Sequence, residues 1–86
     1  MITLHYFSAQ WCAPCKVTKP VVQQVAAENP DKLYLNLIDV DADKSSTSKY
    51  GVRSVPTFVF EKNGTVVHRK SGGMSKGELQ NLIDRL

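Results

Sequence analysis

Long apolar runs are missing from this sequence: none approaches the roughly 18 residues that a membrane-crossing helix needs, so no such helix is expected. Cysteine is almost absent as well. Two in 86 residues are too few for a multiply bridged extracellular scaffold, which favours a reducing compartment, and the cytoplasm is the expected location. The opening residues, MITLHYF, lack a basic segment followed by a long apolar stretch and a small-residue cleavage site; they read as a strand, not a secretory signal. Histidine occurs only at positions 5 and 68, so the two cysteines have no second ligand cluster with which to hold zinc. Nor is there a basic stripe. Eleven Lys and Arg against eight Asp and Glu give a net charge of +3, but no basic run exceeds His68-Arg69-Lys70 and no aromatics interleave with it, so nucleic acid is not an expected partner. Asp39-Val40-Asp41-Ala42-Asp43 begins like a calcium loop and then fails, with Lys44 where glycine is required and Tyr50 where glutamate is required.

What is present suits one globular domain over residues 1–86: 42% hydrophobic and 22% charged residues, with no linker, repeat or low-complexity segment. Residues 2–7 form an apolar, β-rich run. From Val17 a four-residue apolar recurrence through Val21 and Val25 predicts a helix face that ends at Asn29-Pro30, with Pro20 expected to kink the helix unless it lies early enough to be absorbed. Lys32 to Asp39 reads as a second buried strand parallel to the first. Asp43 can cap a short helix over KSSTSKY that stops at Gly51. Asn63-Gly64 separates two strand-like runs, Thr57 to Lys62 and Thr65 to Ser71, as a two-residue hairpin turn would. A capping box of Ser75 and Glu78, with Met74 stapling onto Leu79, opens a last helix whose stripe is Leu79, Leu82, Ile83 and Leu86. The order is βαβαββα, an α/β class.

Both cysteines fall within WCAPC, residues 11 to 15. As a structural staple the pair is poor, since closing so short a loop contributes only about 2 kcal/mol. Redox chemistry gives each residue a physical reason. A helix that begins at the motif puts the Cys12 sulfur beside unpaired backbone N–H groups and the positive dipole end, which favour the attacking thiolate. Cys15, one turn inward on the same face, is close enough to bond Cys12 and better shielded, which suits a resolving thiol. Pro14 fits a first-turn position, where its missing donor costs little. Trp11 reads either as a core residue or, beside the nucleophile, as a half-covered ring that substrates dock against.

WCAPCK after a short apolar strand, then Pro20, YGVRSVPT at Tyr50 to Thr57, KNG at Lys62 to Gly64 and GGMSKGEL at Gly72 to Leu79 together resemble the thioredoxins along essentially the whole chain. The resemblance implies a minimal thioredoxin fold, a four-stranded mixed sheet flanked by three helices, without the strand and helix that usually precede it and so close to a glutaredoxin in size. It implies a dithiol reductant of protein disulfides that works through a Cys12–Cys15 disulfide with no bound cofactor, draws on NADPH indirectly through a thioredoxin reductase, and acts as a monomer. It also implies a cis Val55-Pro56 bond that exposes the Val55 backbone to an extended substrate segment, and a second groove-lining loop at Gly72 and Gly73. Ala13 and Pro14 stand where the family usually has Gly-Pro, which suggests a reducing protein.

Three positions depart from the family. Tyr6 replaces a buried Asp associated with proton transfer at the resolving cysteine, and Leu37 replaces a nearby Lys; slower release of the mixed disulfide or a changed pH dependence is expected. Ser8 replaces an aromatic and should open that side of the site. Lys16, with Lys19, Lys49 and Arg53, could place positive charge around the groove. Two other readings remain at this stage: a glutaredoxin-like enzyme using glutathione, and a binding module whose fold serves a partner regardless of redox state.

Overall fold

The computed structural model describes residues 1–86 as β1(Ile2–Ser8), α1(Ala13–Glu28), β2(Leu33–Asp39), α2(Lys44–Lys49), β3(Thr57–Lys62), β4(Thr65–Ser71) and α3(Lys76–Arg85). The four strands make one sheet in the order β2-β1-β3-β4. β1 pairs parallel with β2, Tyr6 opposite Leu37, and antiparallel with β3, Tyr6 opposite Phe58. A parallel partner requires a crossover, and α1 supplies it. The hairpin between β3 and β4 turns on Asn63 and Gly64, both at positive φ (54° and 80°), the conformation a tight two-residue turn needs.

Strand alternation divides the interior into two layers. Ile2, Leu4 and Tyr6 of β1, with Phe58 and Phe60 of β3, face α1 and α3 in the main core, together with Val22, Val25, Leu79 and Ile83. Phe7, Ile38 and Val59 face the other way, beneath Val40, Tyr50 and Val52. The capping box of α3 is complete: Glu78 N–H donates to Ser75 Oγ at 3.1 Å and Ser75 N–H to Glu78 Oε1 at 3.3 Å. Asp43 caps α2 through Oδ1, which accepts from Ser46 N–H at 3.0 Å, and Gly51 closes that helix at φ 63°.

Two expectations are corrected. The buried face of α1 is Cys15, Thr18, Val22 and Val25, whereas Val17 is 75% exposed and Val21 only half-buried. Residues four apart drift by about 40° per step around a helix of 3.6 residues per turn, so Val17, Val21 and Val25 cannot share one narrow face; alternating steps of three and four can. Thr18 disguised that face. β2 is an edge strand, not a buried one: Leu33 and Ile38 are covered, while Tyr34 and Leu37 are exposed. Its apolar run resembles a two-sided interior strand, but the central position belongs to β1. α1 runs unbroken through Pro20, whose ring lies on an exposed face.

Candidate active site

WCAPC lies where β1 ends and α1 begins, at the tip of a central strand. Cys12 is the N-cap of α1, in extended conformation (φ −92°, ψ 105°), and its Sγ accepts the Cys15 backbone N–H at 3.2 Å. A thiolate at that atom therefore meets an aimed N–H donor and the positive end of a sixteen-residue helix, both of which lower the cost of its charge. Pro14 occupies the first turn without loss of a helical hydrogen bond. Cys12 and Cys15 are joined as a disulfide, with Cα atoms 5.3 Å apart.

Both cysteines are covered in this oxidised state, Cys12 at 5% and Cys15 at 2% exposure, packed with Ala9, Val40 and Val55. In that state the bond presses each sulfur against the other. Trp11, Ala13 and Pro14 remain at the surface. Trp11 is 70% exposed, and its Nε1–H donates to Asp41 Oδ2 at 2.8 Å, which ties the ring to the loop after β2. In the sequence Asp41 stands out only as part of a failed calcium loop, and nothing local signals its bond to Trp11.

The Val55-Pro56 bond is cis, and Val55 packs against the cysteine cluster. Gly72, at φ 92°, donates its N–H to the Pro56 carbonyl at 2.8 Å, so the two loops expected to flank the motif are tied together. Gly73 lies against α1: a Cβ there would approach Thr18 Oγ1 to 3.3 Å. Beside Trp11, an apolar groove of about 310 Å³ is walled by Val40, Val52 and Val55, with Lys44 and Arg53 at its edge. Lys49 stands elsewhere, its Nζ 5.3 Å from the centre of the Tyr50 ring.

Tyr6 is fully buried under the motif and donates its hydroxyl proton to the Cys15 carbonyl at 2.9 Å. Burial pushes the phenol above its ordinary pKa, opposed in smaller part by the Thr18 hydroxyl. A phenol so placed is a hydrogen-bond donor to backbone and no base at neutral pH. On the other side of Cys15 a cavity of about 470 Å³ opens toward β2, lined by Ser8, Lys16, Lys19, Leu37 and Asp39. The substitutions at Ser8 and Leu37 fall on its wall.

The sequence model of the family described as Thioredoxin matches residues 1–85. The chain belongs to the thioredoxin family. Thioredoxin of Bacillus subtilis is 40% identical over 84 residues, covering 98% of this chain and 81% of that protein, and thioredoxin of Haemophilus influenzae is 38% identical over 79 residues, covering 92% and 74%. Among solved structures, a thioredoxin-2 described as a component of malaria parasite protein secretion machinery superposes with a TM-score of 0.94 at 29% identity, over 100% of this chain and 84% of that one. A mutant thioredoxin from Halobacterium salinarum gives 0.90 at 36% identity, over 98% and 73%. With the paired cysteines of the motif, this makes the chain a thiol–disulfide oxidoreductase.

Proposed function

We propose that the protein is a dithiol reductant of protein disulfides in which Cys12 attacks and Cys15 resolves. The position of Cys12 at the N-cap, its sulfur receiving the Cys15 N–H, carries this reading. The Cys12 thiolate displaces one sulfur of a substrate disulfide, forming a mixed disulfide and expelling a substrate thiolate. Cys15 loses its proton, attacks Cys12 Sγ and releases the second substrate thiolate, so two electrons pass to the substrate and a Cys12–Cys15 disulfide remains. Val55, preceding the cis proline, offers backbone to an extended substrate segment in the manner of an added strand, and Gly72 and Gly73 leave that approach clear of side chains. Trp11 and the apolar groove beside it take the adjoining substrate side chain, with Ala13 and Pro14 exposed between the cysteines.

The proton of Cys15 goes to water in the cavity beside it, since Tyr6 spends its hydroxyl proton on the Cys15 carbonyl and its buried phenol is no base at neutral pH. Lys16 and Lys19 at that cavity favour the anionic form of the departing thiol. No organic cofactor or metal enters the cycle; electrons come from NADPH by way of a flavin-containing thioredoxin reductase. The site of action is the cytoplasm, and the working form is a monomeric single domain. Insulin disulfide reduction tests this, driven in parallel by NADPH with thioredoxin reductase and by glutathione with its own reductase. Turnover is expected in the first system; turnover confined to the second would make the protein glutaredoxin-like.

A further inference from the structure

On the sheet face opposite α1, three ionisable side chains from separate elements meet. Asn36 Nδ2 of β2 donates to His5 Nδ1 of β1 at 3.0 Å, which assigns the remaining ring proton to Nε2, and Nε2 donates it to Glu61 Oε1 of β3 at 2.7 Å. The Tyr50 hydroxyl donates to the same Glu61 oxygen, its own oxygen 3.2 Å from His5 Nε2, while the Tyr50 ring stacks at a tilt on His5 with centroids 4.7 Å apart. The Arg69 guanidinium of β4 donates to the Tyr50 carbonyl. Three strands thus meet Tyr50 at the C-terminal end of α2, and the fourth, β2, reaches it through His5.

That convergence stands out because α2 has little else to hold it. It is six residues long, reads KSSTSK and buries no side chain. Yet Lys44 and Thr47 of α2, with the Val52–Val55 segment that follows Tyr50, form one wall of the groove beside Trp11, and Val52 is bonded back to α2 through its N–H to the Thr47 carbonyl at 3.0 Å. A helix without an apolar anchor cannot by itself fix a wall to the tolerance that recognition requires.

We infer that Tyr50, clamped by Glu61 and His5, is a positioning residue that sets the α2 wall of the groove and so governs affinity for protein disulfides without touching them. This rests on the groove reading given above. In steady-state insulin reduction with dithiothreitol recycling the dithiol, Tyr50→Phe is expected to raise KM at least about threefold with kcat within about twofold. Glu61→Ala should do the same, and Glu61→Gln, which keeps an oxygen for the phenol, should restore most of the affinity. Amide exchange at Tyr50 N–H and Gly51 N–H should accelerate in Tyr50→Phe relative to the α3 amides, a readout that stands whether or not turnover survives. Unchanged KM and unchanged α2 exchange in both Tyr50→Phe and Glu61→Ala would overturn the inference. Trp11→Ala separates the two readings: if it raises KM where Tyr50→Phe does not, the groove stands and the clamp falls; if neither variant moves KM, the groove reading fails and takes the clamp with it.

Discussion

Tyr6 stands where the resemblance to the thioredoxins implies a carboxylate, and the bond it makes beneath the motif is a structural one. The phenol donates to the Cys15 carbonyl, holding the first turn of α1 down on the sheet. Tyr6→Phe keeps the ring in the core and removes one buried hydrogen bond, so it is expected to lower stability by about 1 kcal/mol in chemical denaturation. The pH dependence of mixed-disulfide resolution should be unaltered, since a buried phenol that donates to backbone is no base at neutral pH; a shifted profile would restore a proton-transfer role to Tyr6. At this scale the sequence was partly legible. The start of α1 at the cysteine motif followed from local sequence, but the bond from Trp11 to Asp41 did not, because 30 residues separate the partners and only folding brings them together.

The helices and strands were read well where local chemistry sets them. The Asn63-Gly64 turn, the Ser75–Glu78 box and the Asp43 cap are each closed by neighbours within a few residues, and each forms as its sequence indicates. What escaped was decided by tertiary placement: β2 became an edge, and the face of α1 followed Cys15 and Thr18 instead of the valines. The His5–Glu61–Tyr50 network carried no local signal at all, since its members come from β1, β3 and the end of α2. It makes a prediction for the element it anchors. The hydrogen bond from Tyr50 holds the Glu61 carboxyl below its usual pKa, with His5 adding to the effect, so this contribution is complete above the ordinary carboxylate range and fades as pH falls through it. The same bond pushes the Tyr50 phenol up to about 12, so its contribution is complete below 10.0 and is lost as pH rises toward 12. The difference in Tm between the parent and Tyr50→Phe should therefore be largest between these limits and shrink toward each. A difference that stays constant from about pH 3 to about pH 12 would mean that the phenol–carboxylate bond contributes nothing to holding α2.

As a whole the molecule is one mixed sheet with α1 and α3 over one face and the short α2 over the other, and the active cysteines stand where the central strand meets the longest helix. The fold was legible because hydrophobic pattern, turn chemistry and capping agree with one another along the chain. The site was legible because its residues cluster in a few short motifs that loops bring to one end of the sheet. The groove wall and the cavity beside Cys15 were not, because they are spaces between elements and no segment spells them out. The central claim is the division of labour between the sulfurs, and trapping measures it directly. Cys15→Ser and Cys12→Ser variants, each reduced and then mixed with insulin, are separated without reductant and weighed by intact mass spectrometry. A long-lived mixed disulfide on Cys12 in the Cys15→Ser variant, with little or none on Cys15 in the Cys12→Ser variant, is the predicted result. Equal trapping on both, or trapping on Cys15 alone, would contradict it.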